Sequence, residues 1–320
     1  MRVVHSIHDI PGRTDVYLTI GNFDGVHRGH QKIIRRLVSA ARRGKALSCV
    51  MTFMTHPRKI IFHRDAVDLL QTNAYKLTLL EQAGVDVCCV LPFNERIRQL
   101  SYDAFLRHVV PAVRVKKVIV GYDFHFGKGR AGTVATFRSY CRQQGIRFEK
   151  ITGLCVRRDF VSSNRVRELV RTGNLADAAR CLGRPYAVVG TVVKGTETGK
   201  KIGFPTANVT LGTEVVPPDG VYSVRLRRLR MTRDGYYART GKKTYAGLAY
   251  KGPQPAFIKQ KMRHPVIEVY VLGFKGNLYD TVLEVSFDAY MRKPQRVRTL
   301  DELHALIEKD VKKHIKNKKQ

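Results

Sequence analysis

Val16-Tyr17-Leu18-Thr19-Ile20-Gly21-Asn22-Phe23-Asp24-Gly25-Val26-His27-Arg28-Gly29-His30 decides how the first half of this chain folds. Its opening five residues form an apolar run of strand length. Gly21, Gly25 and Gly29 then punctuate a turn, and a helical pattern starts near Gly29 with Ile33, Ile34 and Leu37 on one face. Strand, glycine-rich turn and helix start together aim backbone N–H groups and a positive dipole end at an anion. His27 and His30 are spaced to share one helical face at that mouth. Two such donors beside a helix start suit a phosphate that gains charge as it reacts. Either feature alone arises without function, as a tight turn or a chance histidine pair. Their coincidence predicts a nucleotide site. A metal site fits the two histidines less well, because no carboxylate stands at a spacing such as H-E-x-x-H.

Outward from this stretch, apolar strand patterns at 16–20, 46–53, 85–91, 117–120 and 147–151 alternate with helical patterns at 29–43, 73–83, 102–110 and 134–144. Such alternation predicts a parallel sheet covered by helices on both faces, with ligands bound beyond the carboxyl ends of the strands. Two short helices are expected at 164–172 and 174–182, and Gly183-Arg184-Pro185-Tyr186 then breaks the pattern. Strands follow at 187–194, 220–230, 243–250, 266–274 and 282–289, separated by turn signals such as Pro217-Pro218-Asp219-Gly220. They predict a small antiparallel barrel. A last helix starts after the N-cap candidate Thr299, with Glu302 completing a capping box and Leu303, Leu306, Ile307 and Val311 as its apolar stripe. The expected fold is therefore α/β plus all-β, with one domain over 1–185 and another over 186–320.

Composition sets further bounds. At 320 residues and 43% hydrophobic content, the chain can bury two cores. No apolar run reaches membrane-span length and no signal-peptide pattern opens the chain, so a cytoplasmic protein is expected. Six cysteines form no C-x-x-C pair, and Cys49, Cys88 and Cys89 fall inside strand patterns as small hydrophobes. A net charge of +32 predicts attraction to polyanions at low salt. No helix-turn-helix, zinc-finger or RNP-type pattern accompanies that charge, so non-specific rather than sequence-specific nucleic-acid binding is expected.

The nucleotide loop resembles the nucleotidyltransferase motif of the bacterial bifunctional riboflavin kinase/FAD synthetase family, and further blocks follow in that family's order. Thr52-Phe53 with His56-Pro57-Arg58 resembles the segment after the second strand. Val120-Gly121-Tyr122-Asp123-Phe124-His125-Phe126-Gly127 resembles the G-x-D-F-x-F-G block. Ser162-Ser163-Asn164-Arg165-Val166-Arg167 resembles the S-S-T-x-x-R loop, and Gly203-Phe204-Pro205-Thr206-Ala207-Asn208 the G-F-P-T-A-N element of the flavokinase barrel. The resemblance spans nearly the whole chain. It implies a cytoplasmic enzyme whose ATP and riboflavin become FMN, and whose FMN becomes FAD with release of pyrophosphate. Mg²⁺ is the implied cofactor, small molecules the implied partners; the oligomeric state is left open.

Residue by residue, the resemblance assigns the ATP phosphates to His27 and His30, with Gly21, Asn22, Phe23, Asp24, Gly25, Gly29 and Asp123 around the nucleotide. Arg167 falls on the arginine of the phosphate loop, beside Ser162 and Ser163. Read without the resemblance, Arg167 is a surface arginine and the serines are a helix N-cap. In the barrel, Glu268 matches the general base, though strand alternation alone reads it as an outward carboxylate. Thr206 and Asn208 match the Mg²⁺ and ATP ligands, Gly195, Gly199 and Lys200 the phosphate flap, and Arg292 a further ligand-binding position.

The chain also departs from the family pattern. Asn164 stands for threonine, His125 for arginine, Glu197 for glycine, Lys200 for arginine, Tyr250 for asparagine, Ala256 for threonine and Gly273 for aspartate, while Pro294 and Val297 alter the segment after Arg292. Those on the flavin side of the barrel motivate an alternative, an FAD synthetase whose barrel has lost kinase activity. The charge motivates a remoter one, a nucleic-acid-binding protein on a nucleotidyltransferase scaffold.

Overall fold

The computed structural model describes residues 1–10, 14–54, 68–110, 114–253 and 266–317. Contacts divide the chain into two compact units. One comprises Met1–Leu69, Asn73–Arg165 and Thr232–Tyr236, the other Leu70–Thr72, Val166–Met231 and Tyr237–Gln320.

The first unit is built on β1 (Arg2–Val4), β2 (Val16–Ile20), β3 (Leu47–Phe53), β4 (Val87–Leu91), β5 (Val115–Gly121) and β6 (Arg147–Ile151). All pairings are parallel, in the order β1-β4-β3-β2-β5-β6. Each residue of β2 is buried, which is why every position but Thr19 is hydrophobic. Helices α1 (Arg28–Arg43), α2 (Asn73–Gln82), α3 (Glu95–Gln99), α4 (Tyr102–Val109) and α5 (Val134–Gln143) lie between the strands in sequence. Chain progression runs one way from β2 through β3 to β4 and the other way from β5 to β6. That reversal makes a crevice between the loops leaving β2 and β5. The N-terminal strand β1 and the short α3 had no sequence signal, being too short to show a period. A hairpin of β7 (Cys155–Val156) and β8 (Asp159–Phe160) turns through Arg157 and Arg158, both in the left-handed region at φ 51° and 68°.

Two helices follow, α6 (Ser163–Arg171) and α7 (Leu175–Leu182), the latter closed by Gly183 at φ 70°. The barrel comprises β9 (Ala187–Val193), a short α8 (Thr198–Lys201), β10 (Thr206–Thr210), β11 (Gly220–Met231), β12 (Tyr237–Arg239), β13 (Tyr245–Lys251), β14 (Val266–Val271) and β15 (Val282–Arg292). Six antiparallel strands close in the order β11-β13-β14-β10-β9-β15, and β12 extends β11. Strand β10, which carries the T-A-N residues, has no counterpart among the strands expected from the sequence. Its five residues alternate too briefly to be seen without their partners.

Helix α9 (Leu300–Asn317) begins as expected at Thr299, whose hydroxyl accepts the Glu302 N–H at 3.1 Å. The Glu302 carboxylate reaches back to the N–H of Arg298 rather than of Thr299, at 2.8 Å. Its expected apolar stripe is only half-buried; the fully buried positions are Asp310 and His314. Five free cysteines are buried and Cys155 is exposed. Burial pushes the Cys88, Cys89 and Cys141 thiols up to about 12, so they stay protonated and unreactive.

Candidate active sites

In the first unit, β2 empties into a loop that bends through three left-handed residues, Phe23 at φ 50°, Gly25 at 83° and Val26 at 38°. The bend turns the chain back so that His27 caps α1, its Nδ1 accepting the His30 N–H at 3.3 Å. The two imidazoles stack with centroids 3.6 Å apart, and Phe23 meets His30 edge-on at 5.2 Å. A side chain at Gly29 would put its Cβ 3.1 Å from the His27 ring, so this glycine makes room for the stack. Gly21 does the same for the Phe23 ring, at 3.1 Å. Asp24 is buried, and its carbonyl accepts the Ser163 hydroxyl at 2.8 Å. Ser162 caps α6 by accepting the Arg165 N–H at 3.2 Å, so the N-cap role falls to Ser162.

The electrostatics of this loop are set by burial. Desolvation, His27 and Lys76 together hold His30 well below the usual imidazole range. Lys76 itself is buried, with its ammonium against the carbonyls of Phe53 at 3.0 Å and Asn22 at 3.4 Å and the Thr52 hydroxyl at 3.2 Å. Desolvation lowers it to about 8, opposed by Cys88 and Asp24. Three buried polar atoms of this region, Thr19 Oγ1, Asn22 Oδ1 and His30 Nδ1, have no partner among the described residues. A polar ligand or ordered water satisfies such atoms in a working site.

Asp123 and His125 are exposed beyond β5, and His125 Nδ1 lies 2.8 Å from the Asp123 carbonyl. Arg167 is buried on α6, one turn past Ser163, and not on the surface. His56-Pro57-Arg58 and Gln254-Pro255-Ala256-Phe257 lie outside the described residues.

The barrel brings its singled-out residues together by register. Arg292 pairs with Val221, Val221 with Tyr250, Tyr250 with Glu268, and Glu268 with Asn208, across β15, β11, β13, β14 and β10. Directly opposed residues on adjacent strands share a face, and this rung lines one cavity. Leu303, Leu306, Ile307 and Asp310 of α9 form its far wall. Ile267 and Val269 point to the barrel core, so Glu268 faces the other way, but into this cavity rather than open solvent. Burial pushes its carboxyl up.

Gly195 fits against Asn208 of this rung, and Gly199 against Phe204 and Thr206 beside it. A Cβ on Gly195 would sit 2.0 Å from the Asn208 amide nitrogen; one on Gly199 would sit 2.4 Å from the Phe204 carbonyl and 3.1 Å from Thr206 Oγ1. Arg292 is held by Asp310, Nη2 to Oδ2 at 2.7 Å and Nε to Oδ1 at 2.9 Å. Lys200 is exposed, outside the cavity wall. Glu197, left-handed at φ 55°, accepts the Tyr279 hydroxyl at 3.2 Å.

The FAD synthetase family model matches residues 10–165, and the riboflavin kinase family model residues 182–317. The bifunctional riboflavin kinase/FMN adenylyltransferase of Escherichia coli K12 is 35% identical over 313 residues, covering 97% of this chain and 95% of the relative. The chain belongs to the bifunctional riboflavin kinase/FMN adenylyltransferase family. Its Haemophilus influenzae member is 34% identical over 92% of this chain and 91% of its own, and that of Bacillus subtilis 31% over 93% and 91%. The crystal structure of the macrolide-efflux protein from Streptococcus pneumoniae shares the fold, with a TM-score of 0.80 at 25% identity over 97% of both chains. Among the described residues no helix is long and apolar enough to cross a membrane.

Within this family frame, sequence reading missed two site residues. Lys76 stood in an apolar helical run, Ala74-Tyr75-Lys76-Leu77, where a lone lysine is itself a signal. Asp310 follows Leu306 and Ile307 at helical spacing, and only its partner Arg292 gives it meaning.

Proposed function

We propose that this chain phosphorylates riboflavin to FMN in its barrel and adenylylates FMN to FAD at the glycine-histidine loop. Residues 1–185 carry the second reaction and residues 186–320 the first. The observation that carries this reading is the His27–His30 stack at the start of α1, where Thr19 Oγ1, Asn22 Oδ1 and His30 Nδ1 are buried with no partner among the described residues.

In the adenylyl transfer, an FMN phosphate oxygen attacks the α-phosphorus of ATP and pyrophosphate leaves. The nucleophile is already anionic, so no general base is needed. The protein's work is to hold two anions together and offset the charge that develops. His27 and His30 act on the phosphates, with the N–H groups at Gly25 and Gly29. Gly21, Asn22, Phe23, Asp24 and Asp123 shape the nucleotide site, and Ser162 and Arg167, with the backbone N–H of Ser163 at the start of α6, add donors for phosphate oxygens.

In the kinase step a neutral ribityl hydroxyl attacks the γ-phosphorus, so a proton must be taken up. Glu268 accepts it; a carboxyl raised by burial is a better base than an exposed one. Thr206 and Asn208 offer neutral oxygens in a cradle that a Cβ at Gly195 or Gly199 would fill, a donor set that fits Mg²⁺. When bound, Mg²⁺ supplies charge neutralisation on the ATP phosphates. Gly195, Gly199 and Lys200 cover those phosphates, and Arg292, fixed by Asp310, completes the wall. The reading puts the enzyme in the cytoplasm, where ATP is at hand and buried thiols stay reduced.

The test supplies purified protein with ATP, Mg²⁺ and either riboflavin or FMN, and separates the flavins by chromatography. Riboflavin should yield FMN then FAD, and FMN should yield FAD. Removing both imidazoles (His27→Ala with His30→Ala) should slow FAD formation by about a hundredfold to a thousandfold with FMN formation intact. No FMN and no FAD from the parent would refute the reading.

A further inference from the structure

Tyr250 belongs to the rung that holds Glu268, Asn208 and Arg292, yet the proposed chemistry gives it no part. Its backbone is in register with Glu268 on one side and Val221 on the other, so its ring stands beside the base on the cavity face. The phenol is anchored, not free to swing: its hydroxyl donates to the Pro253 carbonyl at 2.7 Å. Gly252 makes that anchor possible, because a Cβ there would lie 2.7 Å from the Tyr250 oxygen and 3.3 Å from Pro294 Cγ. The bond turns the polar tip to the backbone and leaves the ring as an apolar surface. Around it the cavity is walled by Val221, Leu248 and Leu306.

Phosphoryl transfer does not choose its acceptor by chemistry alone. In either case the acceptor oxygen bonds to the γ-phosphorus, the bond to the β,γ-bridging oxygen breaks, and ADP leaves with the electron pair. The acceptor's proton passes to Glu268. A flavin hydroxyl as acceptor gives FMN; water gives inorganic phosphate and wasted ATP. What separates the outcomes is whether water reaches the space between the base and the γ-phosphate.

We propose that Tyr250 is an acceptor-selecting residue, whose anchored ring fills the water-sized space beside Glu268 and packs against the alcohol that belongs there. The inference rests on the barrel being a riboflavin kinase. It gives the tyrosine in place of the family's asparagine a positive role in this chain, that of a bulkier and drier wall.

The experiment measures ADP released per flavin phosphorylated, with FMN and FAD counted together. The adenylyl step releases pyrophosphate, not ADP, so it leaves this ratio untouched. The parent should form one ADP per flavin. Tyr250→Ala should raise the ratio several-fold and weaken the KM for riboflavin more than that for ATP. Tyr250→Phe, which loses the anchor but keeps the ring, should stay near parental coupling. Should Tyr250→Ala yield neither product, Tyr250→Val, a strand-favouring residue that leaves most of the ring's space empty, decides: uncoupling supports the inference, parental coupling overturns it. Parental coupling in Tyr250→Ala overturns it too, as does uncoupling in Tyr250→Phe equal to that in Tyr250→Ala. A parent that makes no FMN removes the functional reading itself, whereas a coupled parent with coupled variants removes only the role of Tyr250.

Discussion

His27 lies flat against His30, centroids 3.6 Å apart and planes 17° from parallel, while its own Nδ1 accepts the His30 backbone N–H. One residue thus starts the helix and fixes the ring of its neighbour. Two imidazoles this close disfavour double protonation, and Lys76 adds a further positive charge. These effects hold His30 neutral at pH 7.

A triphosphate reverses that balance. Its negative charge favours imidazolium, so ATP binding should take up a fraction of a proton near neutral pH. Calorimetric titrations in two buffers of different ionisation enthalpy measure it directly. The expected result is a buffer-dependent heat that shrinks in His30→Gln; equal heats in both buffers for the parent would contradict the argument.

Lys76 ties the ends of β2 and β3 through Asn22, Thr52 and Phe53. Its ammonium, lowered to about 8, is charged at pH 7 and is lost as pH rises through that value. Lys76→Met should slow FAD formation by about tenfold or more, equivalent to roughly 1.4 kcal/mol of lost positioning. FMN formation should be unchanged. The parent's FAD activity should also decline above about pH 8, a limb that Lys76→Met should lack.

Gly195→Ala tests the barrel by crowding alone. Its new Cβ would meet the Asn208 amide at 2.0 Å, with no room to relax without moving that side chain. FMN formation should be lost while FMN is still converted to FAD. Comparing flavin products from riboflavin and from FMN separates the two outcomes.

Glu268→Gln keeps the shape of the cavity and removes the base. FMN formation should fall by about a hundredfold to ten-thousandfold, again without loss of FAD formation from FMN. In the parent the base must be ionised, and burial raises its carboxyl. Activity should therefore fall, as pH is lowered, at a higher pH than an exposed glutamate would give. A pH–rate profile of FMN formation reads this limb.

Much of the first site was legible because its geometry is local. The glycine at φ 83°, the cap three residues before His30 and the apolar run of β2 are all contained in one short stretch. Backbone preferences and helix spacing act over a few residues, so the chain carries them in plain order. The second site was legible only as fragments. Strand alternation favoured an outward Glu268, and nothing in the local pattern of 206–210 announced a strand.

The sequence by itself determined a parallel α/β half, a barrel half, and a glycine-rich turn with paired imidazoles, since each follows from spacing within single segments. The tertiary structure alone decided that Lys76 lies under that turn, and that Arg292, Tyr250, Glu268 and Asn208 share one rung. The physical reason is that register across paired strands is set by hydrogen bonds between distant segments. A shift by one residue would send Glu268 into the apolar core and leave the cavity without its base.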